Sequence, residues 1–370
     1  NKEYLLSVVI PTRNRQYYAI NTVKQILSVT QCNVQIVVSD NSDDLSLKKM
    51  LNDLGEDRVK YQFIRERISG VDNYGNGISL CDGKYVCCIG DDDGIFGEIQ
   101  NVVKWADDEE ILAVKPGIQA AYIWPNTVEM YKTGCLSLDR VSEKVEHINP
   151  KKELVEFLKT GCIDFPEARL VKAYHGIVRR DLFEEIYRNT GCYCGGLSPD
   201  IYLSVALSLL VDDLVCLDIP LTIFGACKQS TTGDSLNKVN VGKLEEAPHF
   251  VGQAYEWSDK VPRFYCGMNI WADSALHALA DMRKAEMMRL FSVEHLTSFC
   301  LVQYVDYSSE IMENFEQNHG DRGLLDEFLK RDKIDYKKKI FKNHIRNRKI
   351  IFGLYKKIRD SYYKITNSQS

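Results

Sequence analysis

Two near-continuous apolar runs, Leu6–Pro11 and Val34–Val38, limit the fold of this chain more than any other feature. A strand buried on both faces reads this way, whereas a half-exposed strand alternates apolar with polar. Between them Ala19, Val23, Ile26 and Leu27 recur at helical spacing. Leu45–Leu54 reads as a second helix, and Val59–Ile64 and Tyr85–Ile89 as third and fourth strands. Strands alternating with helices predict an α/β fold built on a mainly parallel sheet flanked by helices. In such sheets ligands bind beyond the carboxyl ends of the strands. Two polar clusters, Asp40–Asp43 and Gly90–Asp93, fall at those ends.

The rest of the chain is less regular. Gln119–Trp124, Val128–Tyr131 and Val211–Leu217 read as strands. Asn149-Pro150 and Ser198-Pro199 each pair a capping residue with a proline at the first helical position, which predicts helix starts at both. Ala226–Asn237 is rich in Ser, Thr and Gly and reads as a long loop. Beyond about residue 245, Met268, Trp271, Ala275, Leu279 and Met282 mark a helical extension.

Composition narrows the class. With 45% hydrophobic and 27% charged residues the chain reads as globular, and its longest apolar stretches are strand-sized. Twelve cysteines without paired CxxC motifs read as reduced thiols, including Cys192 and Cys194, so zinc is not expected and a cytoplasmic setting is. The net charge of −5 divides unevenly: fourteen Lys and Arg against three Asp give residues 330–370 a charge of +11, leaving −16 on residues 1–329. In the tail Ile351, Tyr355, Ile358, Tyr362 and Ile365 lie between basic clusters at spacings near three and four. Such a helix either lies on an anionic membrane face or docks on the body with its charges solvated. No recognition motif accompanies the charge, so nucleic acid is not expected as a partner.

Three adjacent carboxylates after a buried strand raise one another's pKa unless a cation offsets them. Asp91, Asp92 and Asp93 therefore read either as a divalent-cation site shared with phosphate oxygens or as a solvated cap of the helix that follows. Asp40, ending the second strand, suits a hydrogen bond from a base or ribose, or an Asx turn.

Ser7-Val8-Val9-Ile10-Pro11-Thr12-Arg13-Asn14-Arg15 resembles the opening strand of family 2 glycosyltransferases, which have the GT-A fold. The resemblance continues through Ile36–Ser42 and through Gly83-Lys84-Tyr85-Val86 into Gly90–Asp93, in order over about residues 5–95 and more loosely to about 225. It implies a catalytic domain over 1–240, with a nucleotide-binding half at 1–95 and an acceptor half at 96–240, and a helical C-terminal region over 241–370. It also implies inverting transfer of a sugar from a nucleotide-diphosphate donor, most often a UDP-sugar, to a saccharide or lipid-linked acceptor in bacterial surface polysaccharide synthesis. The setting would be the inner face of the cell membrane.

Carried over by position, Pro11, Thr12 and Arg13 would line the nucleotide pocket and Asp40 would meet the base. Asp92 would face ribose or diphosphate and Asp93 would ligate Mn²⁺ or Mg²⁺. Gly90 stands where many relatives carry the first Asp, which leaves the part of Asp91 open. Asn73 and Asn76 are polar donor-site candidates or simply helix-surface residues. Gly195–Asp200 resembles the segment carrying the catalytic base, here Asp200, with Asp164, Glu167, Asp181, Asp212 and Asp213 as rivals. His175 would touch acceptor or phosphate, or act as a structural hydrogen-bonder. Lys228 would open a lid, Lys228–Gly233, over the diphosphate. The competing readings are a sugar-1-phosphate nucleotidyltransferase, whose glycine-rich loop is here replaced by Pro-Thr-Arg-Asn-Arg, and a transferase-like subunit without catalysis.

Overall fold

The computed structural model describes residues 3–117, 120–127, 132–139, 141–142, 144–229, 241–244 and 255–338. Residues up to Ser292 form one compact unit and those from Val293 a second.

The first unit is built on an eight-stranded sheet of order β3-β2-β1-β4-β10-β6-β11-β9. Its strands are β1 Leu6–Thr12, β2 Val34–Asp40, β3 Val59–Phe63, β4 Tyr85–Cys88, β6 Ala113–Pro116, β9 Val145–Ile148, β10 Ile177–Arg179 and β11 Leu214–Leu217. β1, β2, β3 and β4 pair in parallel, whereas β10 runs antiparallel to both β4 and β6. The apolar runs seen in the sequence are the centre of this sheet: Val8, Val9, Ile10, Ile36, Val37 and Val38 have no exposure. One face packs on α1, Gln16–Val29, through Ala19, Val23 and Ile26, all without exposure. Burying side chains of this size contributes on the order of 2 kcal/mol each. The other face receives α3, Gly70–Ser79, capped by the Ser69 hydroxyl, which accepts from Asp72 N–H.

The order 3-2-1-4 contains a reversal. From β1 the chain steps outward to β2 and β3, then crosses back to β4 on the other side of β1. A ligand crevice opens at the carboxyl ends on either side of such a switch point, and here those ends are Thr12 and the loop after Cys88.

A smaller sheet, of order β5-β12-β7-β8, lies beyond that loop. It comprises β5 Gly94–Ile95, β7 Ala120–Ile123, β8 Cys135–Leu138 and β12 Thr222–Ala226. The segment expected to be a loop from Ala226 therefore begins as the end of β12, with residues 230–240 outside the described range. The strand expected at Val128–Tyr131 also lies outside it. Both helix starts predicted from capping residues are present, as α5 Pro150–Lys159 and α7 Pro199–Leu210. α2 is Ser46–Asn52, α4 Ile99–Asp108 and α6 Arg180–Thr190.

The first unit extends past residue 240. Helix α8, Gly267–Asp281, packs on α7: the Ser274 hydroxyl accepts from Leu197 and Ser198 N–H at 3.2 and 3.0 Å, and Tyr202 donates to Asp281 at 2.8 Å. The helical extension thus begins as part of the first unit, because α8 supplies the cover that the apolar α7 needs. In the second unit, α9 Val293–Gln303, α10 Ser308–Gln317 and a helix over 322–338 are joined by contacts such as Ser298 to Asp332 at 2.6 Å. The tail residues with amphipathic spacing, 351–365, lie outside the described range.

Candidate active site

Thr12 and the aspartate triplet meet at the switch point. The Thr12 hydroxyl donates to Asp91 Oδ2 at 2.6 Å. From α1, the Thr22 hydroxyl lies 2.9 and 2.8 Å from the Asp91 and Asp93 carbonyl oxygens. Arg15 reaches Asp91 Oδ1 at 3.0 Å and Asp92 Oδ1 at 2.8 Å. The remaining Asp92 oxygen accepts from Cys227 N–H at 3.1 Å, just beyond β12. Trp124 Nε1 fixes the Asp92 carbonyl at 2.8 Å.

Asp93 turns the other way. Its Oδ1 accepts from Gly225 N–H at 2.6 Å, and its Oδ2 from Gly90 N–H at 2.5 Å and from the Tyr174 hydroxyl at 2.8 Å. His175 Nε2 pairs with the same oxygen at 3.2 Å, and its Nδ1 lies 2.8 Å from the Thr222 hydroxyl. Burial works to raise the Asp93 pKa, but the His175 ring and the N–H groups of Gly225 and Gly90 outweigh it and hold the carboxyl below its ordinary range. The same burial, with Asp93 beside it, pushes the Tyr174 phenol well up.

Asp93, expected from the sequence to ligate a metal, has its side chain buried and both oxygens held by protein donors. Asp91 and Asp92 are enclosed beside it. Two enclosed carboxylates share one guanidinium, which leaves one negative charge uncompensated. Burial pushes Asp91 up to about 7 against the pull of Arg15, with Asp92 adding to the rise. Burial also opposes the Arg15 charge, and the two carboxylates overcome it. Among the described residues no group of three or more His, Cys, Asp or Glu side chains is arranged to hold a metal. An ion here would need oxygens from a bound phosphate.

The other expected nucleotide residues lie around the same crevice. Arg13 turns away from the triplet, to the Asn41 carbonyl and to Asp43 at 2.7 Å. Sequence reasoning chose Arg13 and passed over Arg15, two residues on. Asp40 has no exposure, and its oxygens accept from Ser42 N–H at 2.9 Å and the Tyr61 hydroxyl at 2.8 Å. Asn73 donates to the Thr12 carbonyl at 3.1 Å and accepts from Ser39 at 2.6 Å, so it braces β1 against β2. Pro11 ends the crevice wall beside Ser39 in the sheet register. Lys228 is exposed one residue past Cys227, and the remainder of the expected lid, from Ser230, lies outside the described residues.

Asp200 sits in the first turn of α7, where the helix dipole favours a carboxylate. One oxygen accepts from Ser198 Oγ and from Ile201 N–H at 2.9 Å. It lines a cavity of about 310 Å³ together with Lys115, Lys172, Tyr174, His175 and Trp271. Asp181, Asp212 and Asp213 instead pair at the surface with Arg179, Lys151 and His147. Asp164 is bonded by Thr160 and, like Glu167, does not line the cavity. Tyr174 carries no role in the sequence reading; like His175, which does, it contacts Asp93 and lines the cavity with Asp200.

The triplet at the switch point and the cavity carrying Asp200 are connected through Tyr174 and His175. Residues 7–185 match the model of glycosyl transferase family 2. The chain is similar to that family over those residues, which include β2, β3, β4 and the aspartate triplet. Over 107 residues it is 29% identical to GalNAc(5)-diNAcBac-PP-undecaprenol beta-1,3-glucosyltransferase of Campylobacter jejuni subsp. jejuni serotype O:2. That match covers 28% of this chain and 35% of the relative, so the chain spans about a third of the relative's length. Among solved structures it is similar to S. aureus TarS 1-349, at 14% identity and a TM-score of 0.46, covering 84% of this chain and 89% of that one. TarS 1-349 in complex with UDP-GlcNAc matches at 13% identity and a TM-score of 0.47, covering 86% and 93%. No helix among the described residues is long and apolar enough to cross a membrane.

Proposed function

We propose that the chain transfers a sugar, with inversion, from a nucleotide-diphosphate donor to a hydroxyl of a saccharide or lipid-linked saccharide. The observation that carries this reading is the sharing of Tyr174 and His175 between Asp93 and the Asp200 cavity. A donor anchored at the triplet would present its sugar toward that cavity, beside a carboxylate.

The chemistry follows. Asp200 takes the proton from the acceptor hydroxyl as its oxygen bonds to the anomeric carbon. The bond from that carbon to the diphosphate oxygen breaks, and its electron pair leaves with the nucleoside diphosphate. Inversion is the stereochemical result of this single displacement. Pro11, Thr12, Arg13, Asp40 and Asn73 form the nucleotide crevice, and Arg15 and Lys228 supply positive charge near the leaving group. Asp92 with Asp91 would hold Mn²⁺ or Mg²⁺, which neutralises charge on the departing diphosphate. Asp93 is a positioning residue that ties β12 to the loop after β4.

A UDP-sugar donor and an undecaprenol-linked acceptor are the substrate classes that the relatives' names suggest. Bacterial surface polysaccharide synthesis at the inner membrane face is the matching setting, with residues 330–370 as the membrane-facing segment. A nucleotidyltransferase is disfavoured because Thr12 and Arg15 bond carboxylates where a glycine-rich phosphate loop would be needed. The test is turnover of UDP-sugars with Mn²⁺, read as release of UDP. Asp200→Asn keeps donor affinity and lowers turnover about 10³-fold, the scale of a lost general base. Retained turnover in that variant would remove Asp200 from the role.

A further inference from the structure

The Asp200 cavity has a charge pattern that sugar-hydroxyl chemistry alone does not explain. Lys115, on β6, and Lys172 both line it. Each ammonium has three donors: Lys115 bonds Ala168 O at 3.0 Å, and Lys172 bonds Phe165 O at 3.2 Å and also stands over the Phe165 ring, 2.9 Å from its centroid. Neither lies within ion-pair distance of a carboxylate among the described residues, although Asp200 and Glu167 act on Lys172 from farther away. The two lysines also repel each other, and with burial as the larger cause this holds the Lys172 pKa well below its ordinary value. Lys115 is lowered by burial too. His175, which pairs with Asp93, lines the same space.

Two buried lysines in one enclosed space, neither with a carboxylate at ion-pair distance among the described residues, are costly unless something negative binds there. The remaining walls are apolar and aromatic. The Phe165 face carries the Lys172 ammonium and Phe224 stacks on His175, whereas Trp271 adds an aromatic ring on which the C–H side of a pyranose can lie. The volume is at the lower end of the range for small-ligand pockets, about 300–1,000 Å³.

We propose that this cavity recognises a sugar bearing an anionic group, a carboxylate or a phosphate monoester, bound between Lys115 and Lys172. The proposal deepens the reading of Asp200 as base, because it names the class of sugar presented to it. The anion belongs either to the transferred sugar or to the acceptor, and the two sources separate by experiment.

Calorimetric titrations of the full chain decide it. One arm compares UDP-glucuronic acid with UDP-glucose. The other compares free glucuronate and glucose 6-phosphate with glucose, with and without UDP present. The charged member binds about tenfold tighter or more, the effect of one hydrogen bond to a charged group. A preference confined to the UDP-sugars places the anion on the donor, and one confined to the free sugars places it on the acceptor. Lys115→Met and Lys172→Met abolish the preference while UDP still binds, and Lys172→Arg keeps it. Equal affinities for charged and neutral sugars in both arms overturn the proposal even where UDP binds well. Failure of UDP to bind, with the free-sugar preference intact, instead overturns the assigned donor and leaves the cavity's specificity standing.

Discussion

The two ends of the active site solve opposite problems. At the donor end nearly every polar atom is already answered: the six carboxylate oxygens of Asp91, Asp92 and Asp93 each have a protein donor or cation. At the acceptor end the Lys115 and Lys172 ammonium groups each have one backbone carbonyl and no carboxylate at ion-pair distance among the described residues. A region wired internally holds its shape before a ligand arrives, so under the proposed function the donor end is a preformed cradle short of one positive charge. A region with open donors depends on its ligand for its energy, so under the same proposal the acceptor end is the one that sets specificity.

Removing the guanidinium that pairs with Asp91 and Asp92 gives the largest expected change. Arg15→Ala leaves two enclosed carboxylates without a counter-charge and lowers unfolding stability by about 3 kcal/mol, as for other broken buried pairs. Added Mn²⁺ recovers part of that loss, which urea unfolding with and without the ion would show. A loss under about 1 kcal/mol would mean that the triplet is solvated and the contrast between the two ends is weaker than described. Next in size is Gly225→Ala. A Cβ there would overlap the Asp92 carbonyl, forcing β12 off the triplet at about 2 kcal/mol, the scale of overpacking. Thermal melts measure it, and the variant also weakens UDP binding because the Cys227 N–H moves with the strand.

The acceptor end predicts a smaller effect of opposite sign. Lys172→Met removes a charge that folding desolvates, so the apo protein becomes more stable, by about 1 kcal/mol. The sign with pH follows from the lowered Lys172 pKa. In that range the unfolded chain binds a proton that the folded chain has released, so wild-type stability rises with pH toward the ordinary lysine value. The gain from Lys172→Met is therefore larger at pH 6 than at pH 9, which melts of both proteins at the two values would test. No difference between the two pH values would show that Lys172 is solvated.

These differences also explain what the sequence could show. The donor end is carried by contiguous segments at strand ends, so Thr12, Asp40 and the triplet were legible from burial pattern and position. Which aspartate faces inward was not. Asp91, Asp92 and Asp93 look alike in sequence, and Gly225, whose N–H claims Asp93, lies 132 residues away. Arg13 and Arg15 were equally indistinct, because the turn after Thr12, with Asn14 at a φ of 54°, decides which of them points at the triplet. Asp200 was singled out through the resemblance of Gly195–Asp200, at the helix start that Ser198-Pro199 marks. The cavity around it was not legible, since Lys115, Lys172, Thr222 and Trp271 come from separate parts of the chain.

The most direct test of the central claim is the melting temperature of the intact protein with nucleoside diphosphates and Mn²⁺, repeated on Asp92→Asn and Asp93→Asn. UDP at a hundred times its dissociation constant stabilises the wild type by about 2.7 kcal/mol. Asp92→Asn loses the metal-dependent part of that gain, and Asp93→Asn starts from a lower melting temperature but still responds to Mn²⁺. A wild type whose melting temperature no nucleoside diphosphate raises, with or without the ion, would contradict the donor site at the triplet.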